Sequence, residues 1–493
     1  MLPYEHIIRI DRGSKVPVYS QIAIQIIHAI RNGTLKAGTH LPGSRELAKI
    51  SGVHRKTVIA AYDELDAQGW ITIFPRKYAA ISGHIPSLKP QTWGKTEVLT
   101  PYDNDLEIPF RVIEKKEFSE SESPVPDIII DDGHPDVRLS PIDDLLKAYR
   151  SLTSKKHAIK NASTGTTQGT KDLREELVNY LSVTRGLNIS AGNLLITHGA
   201  QMSIYLSAQL LLGPSSNIIV AKPNYPVANR AFEESGAAII EVDIDDKGIN
   251  TDEIEQHCRT KRIDAVYVIP HHHYPTTVTL SAERRMKLLE LSRQFSFTII
   301  EDDYDYDYHY TSSPYLPLAS ANHTGNVIYT GSFSKILDPS LRIGFMVAPK
   351  NFIQQCTALR KIIDVGGDGY MHNALAALIK ENELKRHLKK AKKCYHQRRD
   401  FLDGLLKEKL GRYVSYWLPT GGMAIWVKLN PGFSVTRLAA NRRFKIIRWC
   451  EEQNAFRFGF ASMDETELAQ AVDALKTGLE MSHDFSESGL TGF

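Results

Sequence analysis

Gly331-Ser332-Phe333-Ser334-Lys335-Ile336-Leu337-Asp338-Pro339-Ser340-Leu341-Arg342-Ile343-Gly344 brackets one lysine with hydroxyls and places an arginine seven residues after it. An ε-amine can form a Schiff base with an aldehyde, and Ser332, Ser334 and Arg342 can hold a dianionic phosphate through charge-assisted hydrogen bonds. The stretch is wired to carry a phosphorylated aldehyde on Lys335. Upstream, Val327-Ile328-Tyr329 reads as a short buried strand that ends just before the serines. The lysine loop then sits at the C-terminal end of a strand, where ligand sites collect in α/β folds. A second strand, Ser296-Phe297-Thr298-Ile299-Ile300, runs into Glu301-Asp302-Asp303-Tyr304-Asp305-Tyr306. This acidic run lacks the glycine-punctuated spacing of a calcium loop, so no metal is expected there.

Three other stretches stand in order around these two: Gly199-Ala200-Gln201 after the apolar run Leu194-Leu195-Ile196-Thr197, then Lys222-Pro223-Asn224-Tyr225, and near the end Phe456-Arg457-Phe458-Gly459-Phe460. Together the five resemble the MocR (GabR-like) family of bacterial regulators, which fuse a GntR-type winged helix to a domain like a fold-type I aminotransferase. That resemblance implies pyridoxal 5′-phosphate (PLP) as cofactor, with Lys335 as its Schiff-base lysine. It implies Ala200, Gln201, Ser332, Ser334 and Arg342 around the phosphate, and Tyr225 stacked on the ring. Asp302 would face the pyridine nitrogen, whose protonation makes the ring an electron sink. Tyr304 and His272 would lie near the ring oxygen. Arg457 would grip a substrate carboxylate in a two-point fork. The chain departs from the pattern at His271-His272-His273-Tyr274-Pro275-Thr276-Thr277, where relatives carry an asparagine-proline-threonine-glycine element. It also departs at Thr164, where many relatives place a tyrosine that reaches the neighbouring subunit's phosphate. Three adjacent histidines do not read as a zinc site, because successive side chains of an extended chain alternate in direction.

Net charge is +3, but residues 1–84 hold 11 Lys and Arg against 6 Asp and Glu, so the basic excess lies at the front. There Ile22, Ile26 and Ile30 mark one helix after Pro17; a second is expected from Arg45 to about Lys49, capped by Ser44, and a third from Arg55 to about Gln68. Short helices joined by Ser51-Gly52-Val53 form a helix-turn-helix pattern. Leu41-Pro42-Gly43-Ser44-Arg45-Glu46-Leu47-Ala48 and Val53-His54-Arg55-Lys56-Thr57-Val58 resemble the GntR-type domain, which implies that Arg45, Arg55, Lys56 and Thr57 face DNA. His54 stands where the family has serine. The wing tip reads Pro75-Arg76-Lys77-Tyr78, without the usual glycines that allow a tight turn, yet Arg76 and Lys77 add cations for the minor groove.

At 493 residues the chain should hold more than one domain. We expect a winged helix over 1–84, a proline-punctuated linker over 85–126 and an α/β aminotransferase-like domain over 127–480, with a mostly parallel sheet and large and small subdomains. Four scattered cysteines show no CxxC spacing, and no apolar run approaches a membrane span, so a cytoplasmic protein with reduced thiols is expected. The expected function is a PLP-dependent transcriptional regulator. Its expected partners are a double-stranded DNA operator, a second copy in a homodimer, and a small effector that is an amino acid, another amine or PLP itself. The alternative is a working aminotransferase with a fused DNA-binding domain.

Overall fold

The computed structural model describes residues 4–75, 77–83, 105, 108–109, 111–113, 128–163, 167–311 and 316–487. Most of the expected linker, together with Arg76 and Thr164, lies outside the described residues. The chain divides into two compact units, residues 1–120 and 121–493.

In the first unit α1 (Tyr4–Ile7), α2 (Val18–Arg31), α3 (Ser44–Ile50) and α4 (Arg55–Ala67) surround a sheet of β1 (His40–Leu41), β2 (Ile71–Phe74) and β3 (Tyr78–Ile81). The four-residue spacing of Ile22, Ile26 and Ile30 puts all three on one face of α2, where they share a core with Leu47 of α3 and Val58, Tyr62 and Leu65 of α4. Each such buried aliphatic side chain contributes about 1.5–3 kcal/mol relative to exposure. The α3 cap differs from expectation. Gly43 occupies the cap position, and Ser44 is the first helical residue, its Oγ accepting from Arg55 Nε at 3.2 Å. At α4 the cap is His54, whose Nδ1 accepts from Lys56 N at 3.2 Å. The imidazole thus takes over the hydrogen bond a serine hydroxyl would make.

The wing corrects a second expectation, since its turn is tight without glycine. Phe74 pairs with Tyr78 across antiparallel β2 and β3, and Lys77 N donates to Phe74 O at 3.0 Å. Aromatic contacts brace the strand ends: the Tyr78 ring lies 4.0 Å from His40 and 4.8 Å from Phe74.

The second unit is built on an eight-stranded sheet of β5 (Leu194–Thr197), β6 (Asn217–Lys222), β7 (Ala238–Asp245), β8 (Gly248–Ile249), β9 (Ala265–Val268), β10 (Thr298–Asp303), β11 (Val327–Ser332) and β12 (Gly344–Val347). The order is β5-β12-β11-β10-β9-β6-β7-β8, with β11, β10, β9, β6 and β7 successively parallel and β12 antiparallel to both neighbours. Its inner strands are buried along their length, as a sheet covered by helices on both faces requires. A smaller antiparallel sheet, β13 (Val414–Tyr416), β14 (Ala424–Leu429), β17 (Ala455–Gly459) and β16 (Trp449–Cys450), forms the second layer system. Beside it β4 (Ile128–Ile130) pairs in parallel with β15 (Phe444–Ile446). The helix Glu383–Leu410 closes this core with Tyr395, Leu402 and Leu406. The last helix, Glu465–Glu487, continues past residue 480.

Candidate functional site

β10 and β11 run side by side with Asp302 opposite Thr330 and Asp303 opposite Gly331, so the acids and Ser332 reach the same end of the sheet. Strand alternation turns Asp302 to one face and its neighbours Glu301 and Asp303 to the other. Glu301 is spent on structure, accepting from Leu318 N and Ala319 N at 2.7 and 2.8 Å. Asp302 instead opens on a cavity of about 230 Å³ that is also lined by Ala200, Gln201, Tyr225, Tyr304, Ser332, Ser334, Lys335 and Arg342.

One end of this cavity is shaped for an anion. The helix Ala200–Leu211 points its N-terminus there, and no side chain caps it. Gly199, at φ +76°, precedes it, and a Cβ at that position would lie 2.6 Å from Arg342 Nη2. Only glycine lets the backbone N–H groups and the guanidinium share the space. Ser334 N donates to Ser332 Oγ at 3.1 Å, and Arg342 Nη1 lies 3.4 Å from Ser334 Oγ. Gln201 anchors its amide on Val227 O at 3.0 Å, while its Oε1 is buried without a hydrogen-bond partner among the described residues.

At the other end, Tyr267 and Thr330 donate to Asp302 at 2.7 and 3.4 Å, yet burial pushes its carboxyl up to about 6. Lys335 Nζ donates to Gly133 O at 2.7 Å, and burial lowers its amine below the usual lysine value against the opposing pull of Asp132. A lowered amine is the nucleophilic form. The Tyr304 hydroxyl donates to His272 O at 2.8 Å, and burial raises its phenol.

Two expected residues stand off the cavity lining. His272 turns away, its Nδ1 3.0 Å from Asp305 Oδ1, because its backbone adopts φ +43°. What meets Tyr304 is the His272 carbonyl rather than its ring. The adjacent histidines diverge as alternation requires, His271 toward Asp303 and His273 toward Pro223 O. Arg457, in the middle of β17, is 1% exposed and lies over Tyr274 at 5.0 Å. Its guanidinium donates to Asp132 O, to Pro275 O at 2.8 Å and to Tyr304 Oη at 3.0 Å.

Asp132 escaped the sequence reading. It lines the cavity and accepts from the Tyr274 hydroxyl at 2.7 Å. Neighbouring Asp131 is committed to the N–H groups of Gly133 and His134 and to Ser462 Oγ.

In the first unit Arg45, Arg55 and Lys56 are exposed at the starts of α3 and α4, with Thr57 half-buried beside them, and Lys77 is exposed on the wing. The Arg55–Ser44 bond ties the two helix starts together.

The description "Aminotransferase class I and II" matches residues 135–475, more than half of the chain. The chain belongs to the class I and II aminotransferase family. Its front, residues 18–81, matches the gntR family of bacterial regulatory proteins. A GntR domain fused to a class I and II aminotransferase domain is the MocR arrangement. The chain is similar to the HTH-type transcriptional regulator YisV of Bacillus subtilis, 27% identical over 87% of both chains. It is similar to the pyridoxine biosynthesis regulator PdxR of Corynebacterium glutamicum, 27% identical over 93% of this chain and 96% of that one. Among solved structures it resembles the kynurenine aminotransferase of Pyrococcus horikoshii, solved with PMP, at a TM-score of 0.66 and 26% identity over 72% of this chain and 91% of that one. PLP is the cofactor of this fold, and the residues present fit it: an anion cup, a buried acid, a lysine of lowered basicity and a phenol. No helix among the described residues is long and apolar enough to cross a membrane.

Proposed function

We propose that the chain is a PLP-dependent, DNA-binding transcriptional regulator whose aminotransferase-like unit senses an amine-bearing ligand. The observation that carries this reading is that Lys335, Asp302, Tyr304 and the anion cup meet in one cavity, on a chain whose front unit presents cations at the starts of two adjacent helices. PLP, when bound, supplies an aldehyde for an amine and a ring that withdraws electrons. Arg342, Ser332, Ser334 and the helix N-terminus would hold the phosphate, Asp302 would face the pyridine nitrogen and favour its protonated form, and Lys335 would supply the amine that carries the aldehyde. Arg457 is a buried cation without a carboxylate in ion-pair contact among the described residues, and an incoming carboxylate supplies that charge. Because Lys335 follows β11 of the large sheet and Arg457 lies in the small one, a ligand that engages both biases how the two sheets close. In a homodimer that change reaches the paired DNA-binding units through the linkers.

Purified protein loaded with PLP should show the visible absorbance of a lysine-bound cofactor, and Lys335→Ala should lose it while remaining folded. A borohydride-reducible lysine adduct in that variant would overturn the assignment of Lys335. The meeting of Lys335, Asp302, Tyr304 and the anion cup in one cavity also favours a second reading, a working aminotransferase. Sustained turnover with an amino donor and a keto-acid acceptor at about 1–10³ per second would favour it over the regulator.

A further inference from the structure

Asp132 places a carboxylate in a cavity whose other charged groups serve the cofactor. Its Oδ2 is taken by Tyr274 Oη at 2.7 Å, and its Oδ1 is buried without a hydrogen-bond partner among the described residues. The nearest base is His134, whose Nδ1 lies 3.3 Å from that oxygen. Burial lowers the basicity of this imidazole, which leaves it a weak counter-charge at neutral pH. The carboxyl itself is held below the usual range despite its burial, through Lys335 and His134 first and then Tyr274 and the charge of Arg457. When the Lys335 amine is committed to the cofactor, the full cation left near Asp132 is Arg457, whose hydrogen bonds go to the Asp132 backbone carbonyl, Pro275 O and Tyr304 Oη, so the ionised Oδ1 has no full cation in direct contact. A buried charge in that state is costly and calls for a partner. The Asp132 backbone carbonyl also receives the Arg457 guanidinium, so an anion-seeking group and a cation-seeking group stand next to each other.

Resting on the reading of this cavity as an amine-sensing PLP site, we propose that Asp132 sets ligand specificity: the ligand is a diamino acid. Its carboxylate goes to Arg457, one amine meets the cofactor, and the second ammonium group pairs with Asp132. Dicarboxylic amino acids are rejected, because they would bring a second negative charge to that carboxylate.

L-lysine and L-norleucine share a carbon skeleton and differ in the terminal ammonium, so they isolate this contact. Each is titrated into the PLP-loaded full chain, and the cofactor absorbance change is followed, with L-glutamate as the acidic probe. A charged hydrogen bond at Asp132 makes half-saturation roughly 10- to 100-fold lower for L-lysine than for L-norleucine. In Asp132→Asn the gap closes to within about threefold, and in Asp132→Glu, which keeps the charge, most of it remains. An equal gap in wild type and Asp132→Asn would overturn the proposal, as would a wild type that favours L-norleucine or L-glutamate. So would an Asp132→Asn variant in which only the pH dependence of the unliganded absorbance moves, for then Asp132 serves Lys335 alone. Failure of the underlying site reading looks different: no lysine-bound absorbance forms before any ligand is added.

Discussion

Asp302 shows what a single residue gives up to serve this site. Burial in mid-sheet raises its carboxyl from 3.8 to about 6, with Tyr267 and Thr330 pulling the other way. Below about pH 4 the group is protonated in the folded and unfolded chain alike and costs nothing. As pH rises to about 6 the unfolded chain releases its proton first, so stability falls by up to roughly 3 kcal/mol in the cofactor-free protein. A protonated pyridine nitrogen placed opposite Asp302, as the proposed function has it, would offset that cost. Asp302→Asn should therefore be more stable than the cofactor-free wild type at pH 7, by an amount that shrinks toward zero near pH 4, and it should hold PLP less tightly. Urea midpoints of the two proteins at pH 4, 5 and 7 read this directly. A gap that does not change with pH would show that the buried carboxylate is not the source. The resemblance of Glu301 to Asp305 to the family's acidic run singled out Asp302, and the structure puts that residue on the cavity lining. Asp132 was not legible in the same way, because its role depends on Tyr274 and Lys335, which reach it from far along the chain.

At the scale of elements, the front unit divides its work between a helix and a wing. The start of α4 is braced by the His54 cap and by the Arg55–Ser44 bond, which aims Arg55 from a fixed position. The wing is held by a backbone hydrogen bond and aromatic stacking, and Lys77 projects from it without an ion pair among the described residues. A wing cation that meets phosphate should weaken binding to all duplexes when removed. Lys77→Ala is therefore expected to lower affinity for operator and scrambled DNA alike and to reduce the salt-dependence slope by about one unit. Arg55→Ala should instead erode operator preference, by about 1–3 kcal/mol if it contacts a guanine in two places. Salt titrations on both duplexes separate the two effects, and an Arg55→Ala protein with unchanged preference would remove that helix from sequence reading. The helices themselves were visible in the spacing of isoleucines and leucines. The cap at Gly43 and the glycine-free wing turn were not, because they depend on hydrogen bonds between elements rather than on local residue preference.

For the whole molecule, the two units carry different charge and separate cores. Residues 1–84 have a net charge of +5, the rest −2, and the first unit buries its own set of apolar side chains around Ile22, Leu47 and Leu65. A fragment ending at residue 83 should therefore fold, keep salt-dependent duplex binding and lose any response to amines. It should also bind more weakly than the full chain if the second unit supplies dimerisation, since paired sites gain from effective concentration. Circular dichroism and duplex titrations with and without ligand would check this, and a fragment that still answered to amines would place the sensor in the wrong unit. By itself the sequence determined the two-unit plan, the two strands that flank the lysine loop, and the cluster of Lys335, Ser332, Ser334 and Arg342, because these follow from apolar runs, charge distribution and the fixed chemistry of amines, hydroxyls and guanidinium groups, while Ala200 and Gln201 came from the family resemblance. Tertiary structure alone decided that His272 turns from the cavity to Asp305, that Arg457 is buried under three acceptors, and that Asp132 faces the ligand space. Those three outcomes depend on which distant groups meet a side chain once the sheets close, and no local pattern records that.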